Sequence, residues 1–190
     1  MHKLFSWGGG KILEVEIPNW EDWVPELLVQ FHQNLNHAQK SHKIGGRWEN
    51  LYLDVEDVTS ARIPIRFARD FGKEKLGISS VILFDPLPGS SEKHPPFWFN
   101  LAEPGESTGL HDHAEHSILS GVVYLSCEEK SGNLYFHKDG EVDLDIMPSV
   151  GKLVLFEPWM RHGVRENRSN TNRLSLAFNL FPFPLPVDNL

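Results

Sequence analysis

The sequence lacks the features that mark secreted, membrane-spanning and nucleic-acid-binding proteins. Its single cysteine, Cys127, cannot form an internal disulfide, and the chain has no long uncharged apolar run and no basic and apolar leader. The formal net charge of −8 disfavours a protein whose affinity comes from neutralising phosphates. We therefore expect a cytoplasmic protein that binds neither nucleic acid nor a membrane.

What the chain does contain suits one compact domain. It has 190 residues, of which 40% are hydrophobic and 11% aromatic, enough to fill a sizeable core. No internal repeat and no low-complexity tract interrupts it. We predict a single domain over 1–190, with a supporting strand and helices in 1–78, a strand-rich core in 79–182 and a Pro-rich tail in 183–190.

The first part of the chain reads as mixed secondary structure. Partial alternation over residues 11–17 predicts a strand, and the helical spacing that follows predicts a helix capped by Asn19 and running to about Ser41. A Gly45-Gly46 break comes next, and a second amphipathic pattern predicts another helix that Gly72 ends. Both helices are predicted to support the sheet.

The second part of the chain is rich in short apolar runs separated by turn residues. This pattern is typical of an antiparallel sandwich or barrel. The predicted strands cover residues 80–84, 97–101, 118–127, 132–137, 142–147, 152–156, 162–165 and 173–181.

Three histidines in this part form a candidate metal site. Residues i and i+2 of a strand project from one face, so His111 and His113 can converge on one ion, and His162 from a distant strand can add a third ligand. Three imidazoles at strand ends suit Fe(II), Zn, Cu or Ni.

The histidine segment also permits other assignments. His113 and Glu115 are themselves an i, i+2 pair, so a set of two histidines and one carboxylate, His113, His162 and Glu115, is a second alternative. Asp112 points the other way and could orient a ligating ring, while His116 is predicted at the surface or behind the ligands. His162 considered alone would be a turn residue bonded to a backbone carbonyl.

Arg173 begins the strongest alternation in the chain. It shares one face of a predicted strand with Ser175, and the other face is apolar. A guanidinium presents a planar fork that matches a carboxylate, and the serine hydroxyl can add a further donor. We predict a carboxylate clamp; the alternative is a surface salt bridge.

These motifs, in this order, resemble a known family. The resemblance covers about residues 97–181 and is carried by Phe97-Trp98-Phe99-Asn100, Pro104-Gly105, His111-Asp112-His113, Ser120-Gly121-Val122-Val123-Tyr124-Leu125, Gly132-Asn133-Leu134-Tyr135-Phe136, Gly151-Lys152-Leu153-Val154-Leu155-Phe156, His162-Gly163-Val164 and Arg173-Leu174-Ser175. The chain is similar to the Fe(II)/2-oxoglutarate-dependent oxygenases, and more closely to a little-characterised group of them from bacteria and phages.

The resemblance implies a fold and an activity. The fold would be mostly β with N-terminal helices and a double-stranded β-helix core, that is, a cupin-like jelly roll. The activity would be hydroxylation of a small molecule or a side chain, with Fe(II) as cofactor and decarboxylation of 2-oxoglutarate, the cosubstrate, to succinate. Homodimerisation is left open.

The resemblance also implies roles for particular residues. The metal ligands would be His111, His113 and His162, although His113 stands where the family has a carboxylate, so Glu115 stays an alternative ligand. Arg173 and Ser175 would bind the far carboxylate of 2-oxoglutarate, with Tyr124 or Asn100 as an extra donor.

Two other functions remain open from the sequence. A metal-binding cupin that does not use 2-oxoglutarate would explain the histidines, yet would not require Arg173 and Ser175. A non-enzymatic jelly roll that binds a ligand would make the histidines incidental.

Overall fold

The structure is a computed structural model and describes residues 2–44, 47–87, 89, 93–113 and 116–185. Within these residues the chain forms two helices, α1 (Trp20–Asn34) and α2 (Arg62–Leu76). The strands are β1 (His2–Trp7), β2 (Gly10–Glu16), β3 (Gln39–Ile44), β4 (Arg47–Tyr52), β5 (Phe97–Ala102), β6 (Thr108–His111), β7 (Leu119–Ser126), β8 (Leu134–Phe136), β9 (Leu144–Ile146), β10 (Lys152–Phe156), β11 (His162–Val164) and β12 (Arg173–Leu180).

The strands form two sheets. The large sheet has eight strands in the order β1-β2-β10-β7-β12-β5-β4-β3, and the small sheet has four in the order β6-β11-β8-β9. All the strand pairs are antiparallel. This mostly β architecture with two helices agrees with the predicted double-stranded β-helix, or jelly-roll, fold.

Two hydrophobic clusters flank the large sheet. The larger one joins the sheet to the helices, with Leu27 and Phe31 of α1 and Ile65 of α2 packed against strand residues such as Leu176. The smaller one lies between the sheets. Its buried members are Ile12, Leu134, Phe136, Ile146, Val154, Phe156 and Met160.

The alternation predicted for β12 decides which residues reach the space between the sheets. Leu174, Leu176, Phe178 and Leu180 belong to the cluster under the helices. Because neighbouring side chains of a strand point to opposite faces, Arg173 and Ser175 face the small sheet. The face of β12 that carries Arg173 and Ser175 is therefore the one that the sequence predicted to be opposite the apolar face.

Several predicted boundaries are wrong. The first helix ends at Asn34, and the chain turns into β3 before Ser41. Asn19 does precede the helix, but its φ is 53° and its side chain forms no capping hydrogen bond. The predicted strand over 80–84 is a single bridge between Val81 and Phe181.

Gly72 does not end the second helix, and its reason for being glycine is close packing. It is buried inside α2, and a Cβ there would lie 2.9 Å from the Leu119 side chain of the sheet. Gly77, with φ 73°, ends the helix instead. The helical pattern was read correctly, but the contact that explains the glycine comes from a strand 47 residues later in the sequence.

Some regions were missed or fall outside the described residues. The strands β1, β3 and β4 were not predicted, and β6 ends at His111, whereas the pairing of His111 with His113 assumed a strand that continues past it. The Gly45-Gly46 break and tail residues 186–190 lie outside the described ranges, and residues 182–185 carry no strand. No helix among the described residues is long and apolar enough to cross a membrane.

Candidate active site

Three histidines meet between the two sheets. His111 ends β6, His162 begins β11, and the two are paired in register across the small sheet. His113 lies two residues beyond the end of β6, where its N–H donates to the Pro158 carbonyl at 2.8 Å. One nitrogen from each of the three rings lies within 4.8 Å of the corresponding nitrogens of the others, close enough to share one metal ion.

Backbone carbonyls orient two of the three rings. The Nδ1 of His111 lies 2.8 Å from the Gly109 carbonyl oxygen, and the Nδ1 of His162 lies 2.8 Å from the Met160 carbonyl oxygen. A carbonyl can only accept, so each Nδ1 must carry the proton. Each Nε2 therefore has a lone pair available for a metal, which is the arrangement that metal-ligating histidines usually have.

Burial keeps the imidazoles of His113 and His162 neutral. Desolvation, followed by the nearby His111, lowers the pKa of His113 to about 3. The pKa of His162 lies well below its usual value, first because of burial and then because of His111 and His113. Since only a neutral imidazole can ligate, this environment suits metal binding at neutral pH.

The neighbouring residues settle some of the alternatives for this segment. Glu115 lies outside the described residues, so its candidacy as a ligand stays a prediction. Asp112 is not the Nδ1 acceptor of His111 or His162, because backbone carbonyls fill that role. His116 has a φ of 69° and lies outside the strand. The hydrogen bond from His162 to a backbone carbonyl is compatible with its predicted role as a ligand, because the two interactions use different ring nitrogens.

A small cavity extends from the histidines along the inner face of the large sheet. Its volume is about 50 Å³, room for a few water molecules. Besides the three histidines, its walls include Asn100, Thr108, Ser175, Trp98 and Val164.

Asn100 and Ser175 lie side by side on this cavity wall. They are paired in register between β5 and β12. The Asn100 amide donates to the Glu49 carbonyl oxygen at 3.0 Å and to the Thr108 hydroxyl at 3.3 Å, so both its N–H groups are engaged within the protein. Ser175 is therefore better placed than Asn100 to donate to a ligand.

Arg173 and Tyr124 lie behind this wall rather than on it, since neither lines the cavity. Arg173 is completely buried, so its alternative interpretation as a surface salt bridge is wrong. Its Nη1 donates to the Ser131 carbonyl oxygen at 2.7 Å. Burial raises the pKa of the Tyr124 hydroxyl, and the charge of Arg173 partly opposes that shift. The guanidinium and the phenol therefore share one interior environment.

Two residues of this region were missed by the sequence analysis. Ser131 is fully buried, and its hydroxyl has no hydrogen-bond partner among the described residues. Glu49 is a buried acid of β4 whose Oε1 accepts from the Gly109 N–H at 3.2 Å. Ser131 directly precedes a predicted strand, and nothing in the local pattern around Glu49 links it to a strand 60 residues away.

Aromatic rings form a wall beside His113. The Trp98 ring lies 5.3 Å from the His113 ring between centroids and 6.2 Å from the ring of Tyr52. Tyr52 in turn stacks on His94 at 4.3 Å. This side of the site is thus bounded by β4 and β5 and offers flat, weakly polar surfaces.

Comparison with known proteins agrees with these features. Residues 140–179 match the model of the family described as "Putative 2OG-Fe(II) oxygenase". The matched segment contains His162, Arg173 and Ser175, but neither His111 nor His113. No curated protein matches the sequence.

Solved structures share the fold at low sequence identity. A prolyl-4-hydroxylase from Pseudomonas putida is 16% identical with a TM-score of 0.63, covering 90% of this chain and 92% of its own. A prolyl hydroxylase from Trichoplax adhaerens, solved with a hypoxia inducible factor peptide fragment, is 11% identical with a TM-score of 0.65, at 90% and 83% coverage. The epimerase SnoN, solved with Fe3+, alpha ketoglutarate and nogalamycin RO, is 16% identical with a TM-score of 0.66, at 90% and 78% coverage.

The sequence match and the fold support each other. The match indicates a 2OG-Fe(II) oxygenase, whose cofactor is Fe(II) and whose cosubstrate is 2-oxoglutarate. The more specific grouping with bacterial and phage proteins stays a prediction. The chain resembles the Fe(II)/2-oxoglutarate-dependent oxygenase superfamily, in sequence over residues 140–179 and in fold over about nine-tenths of its length.

Proposed function

We propose that this protein is an Fe(II)/2-oxoglutarate-dependent oxygenase in which His111, His113 and His162 hold the metal. The observation that carries the proposal is the tautomer of two of these rings: His111 and His162 each have Nδ1 bonded to a backbone carbonyl. Their Nε2 atoms are thereby prepared for a metal. Three nitrogen donors leave other coordination positions open, as an oxygenase requires.

The proposed cosubstrate site runs from the histidines toward Arg173. Ser175 on the cavity wall would donate to the far carboxylate of 2-oxoglutarate, and the guanidinium of Arg173 would bind it from behind. Burial of Arg173 strengthens that ionic attraction, because the surroundings have a low dielectric constant. Tyr124 would remain a neutral phenol and so could donate its proton, since its pKa is raised. We assign Asn100 mainly to holding the wall in place.

In the proposed reaction, the bound groups would supply the oxidising chemistry and the protein would position them. Fe(II) with 2-oxoglutarate and oxygen supplies the oxidising chemistry, which yields succinate, carbon dioxide and a hydroxylated product. The chain orients the metal through its three imidazoles, anchors the cosubstrate at Arg173 and keeps water away with the apolar walls of Trp98 and Val164.

We propose that the substrate is a small molecule or a protein side chain. The solved structures of similar fold include prolyl hydroxylases and a protein bound to nogalamycin RO, so the fold accommodates both classes. We further propose a cytoplasmic protein without a nucleic-acid or membrane partner, which the net charge of −8 supports. Light scattering during size exclusion would decide whether it forms a homodimer.

Anaerobic titration tests the metal and the cosubstrate separately. Adding Fe(II) and then 2-oxoglutarate should produce a visible charge-transfer band, and admitting air should then give slow succinate formation without substrate. His162→Ala should abolish the band. His137→Ala is the matched control, because His137 is bonded to Asp139 and Asp143 outside the triad.

The same titration separates the alternatives. Iron binding without any response to 2-oxoglutarate would favour the cupin interpretation. Absence of metal binding would reject both enzymatic interpretations. Comparing His111→Ala, His113→Ala and Glu115→Ala decides the ligand set, since only loss of a true ligand should weaken metal binding strongly.

A further inference from the structure

A buried carboxylate from the large sheet reaches the strand that carries His111. Glu49 in β4 is only 5% exposed, and its Oε1 accepts the Gly109 N–H of β6 at 3.2 Å. Its own backbone carbonyl accepts from the Asn100 amide at 3.0 Å. Glu49 therefore links the two sheets beside the metal site.

The backbone of Gly109 connects Glu49 to the proposed ligand His111. The same residue that donates its N–H to Glu49 accepts the Nδ1 proton of His111 on its carbonyl, at 2.8 Å. Glycine is the residue with the greatest backbone freedom, so a carbonyl at a glycine needs restraint from outside to stay in one direction. The Glu49 side chain supplies that restraint by accepting the Gly109 N–H.

Stability alone does not account for an acid at this position. Burying a carboxylate costs free energy unless hydrogen bonds compensate for lost water, and an apolar side chain would avoid that cost. The hydrogen bond from the Gly109 N–H to Glu49 fixes the backbone of Gly109, whose carbonyl orients the predicted ligand His111. The other oriented ring, His162, uses the Met160 carbonyl, and the Met160 N–H donates to the Glu157 carbonyl oxygen.

We infer that Glu49 is a positioning residue, which holds the Gly109 carbonyl so that His111 keeps its proton on Nδ1 and presents Nε2 to the metal. This inference rests on the proposed function, because it deepens the description of the same site. It predicts an effect on one ligand and not on the other, which general loss of packing would not produce.

The first test needs no metal. In apo protein labelled with 15N-histidine, at about pH 8 where an ordinary imidazole is neutral, His111 and His162 should both show the Nδ1–H tautomer. Glu49→Ala should convert His111 to a mixture of tautomers and leave His162 unchanged. Glu49→Gln should restore the wild-type pattern, because its amide oxygen can accept the same Gly109 N–H.

The second test measures metal affinity. Titration with Co(II), which reports its coordination through visible bands, should show about a tenfold or greater rise in Kd for Glu49→Ala, the usual effect of losing an orienting partner. Glu49→Gln should stay within about threefold of the wild type, on the same reasoning. Glu21→Ala, an exposed acid of α1, is the control and should leave both the Kd and the bands unchanged.

The outcomes distinguish this inference from the proposed function. If the wild type binds no Co(II) or Fe(II) but only His111 changes tautomer in Glu49→Ala, the positioning role stands and the oxygenase proposal fails. An unchanged His111 tautomer in Glu49→Ala overturns the inference, whatever the protein binds. Equal disturbance of His111 and His162, or equal losses in the Ala and Gln variants, also overturns it.

Discussion

Replacing Arg173 by methionine should remove the cosubstrate while leaving the metal in place. The side chain is completely buried, and its Nη1 donates to the Ser131 carbonyl at 2.7 Å, so the guanidinium is held firmly behind the cavity wall. Methionine is unbranched and adaptable enough to occupy the vacated space. The change thus removes the charge and its donors with little change in packing.

The size of the effect follows from the bonds that the clamp would make. Two hydrogen bonds from a guanidinium to a carboxylate are worth about 1.5 kcal/mol each at the low end, or about 3 kcal/mol together. This corresponds to a rise of about 100-fold in the Kd for 2-oxoglutarate. Stability should change less: leaving the Ser131 carbonyl without this donor costs roughly 1–3 kcal/mol, and removing a desolvated charge offsets part of that.

Isothermal titration calorimetry under anaerobic conditions measures the Kd for the metal and the Kd for 2-oxoglutarate. Wild type and Arg173→Met are loaded with Fe(II), the metal Kd is compared, and 2-oxoglutarate is then titrated. Arg165→Met is the matched control, because that guanidinium is partly exposed over the Tyr135 ring and bonds to Asp143 and Asp145. A 2-oxoglutarate Kd in Arg173→Met within about twofold of the wild type would refute the clamp, given the magnitude expected for two charge-assisted bonds.

Two further predictions concern the metal-free protein. The folded-state pKa of His113 is about 3 and that of His162 is also far below its usual value, so the unfolded chain binds more protons than the folded one below about pH 6.5. The free energy of unfolding of the apo protein should therefore fall as the pH drops from about 6.5 toward 3, by up to about 1.4 kcal/mol per pH unit for each histidine. In urea unfolding, His113→Gln should make this pH dependence less steep. The same pH dependence in the variant and the wild type would contradict the role of His113. Gly10→Ala should destabilise the protein by about 1–3 kcal/mol, because a Cβ there collides with the side chain of Met160, which is 2% exposed. In thermal melts, the double variant Gly10→Ala, Met160→Ala should lose less stability than the sum of the two single variants, because the smaller side chain makes room for the added Cβ. Strictly additive losses would argue against that contact.

Part of the site could be predicted because strand periodicity is local. Alternation along 173–180 fixed which face of β12 carries Arg173 and Ser175, and the packing of Leu174 and Leu176 under the helices agrees with it. The same periodicity suggested that His111 and His113 could approach each other. Here the reasoning was incomplete, because β6 ends at His111 and the Pro158 carbonyl holds the backbone of His113 instead.

Helix boundaries and glycine roles were harder to predict, because tertiary contacts decide them. Gly72 looked like a helix stop, yet it lies inside α2 where Leu119 leaves no room for a Cβ. The helix predicted to reach Ser41 gives way to a β-hairpin that joins the edge of the large sheet. That hairpin could not be foreseen, since its strands are stabilised by pairing rather than by a local apolar pattern.

The sequence by itself determined the kinds of group available: three histidines, an arginine in an alternating polar and apolar segment, and an excess of acidic over basic residues. Only the tertiary structure decided how they are oriented. The protons on His111 and His162 are fixed by carbonyls at Gly109 and Met160, and Arg173 is enclosed beside Ser131. Glu49 lies 60 residues before the Gly109 N–H that it accepts. The bonds of Arg173 and Glu49 join parts of the chain that are 42 and 60 residues apart, so no local pattern can encode them, whereas strand alternation depends only on neighbouring residues.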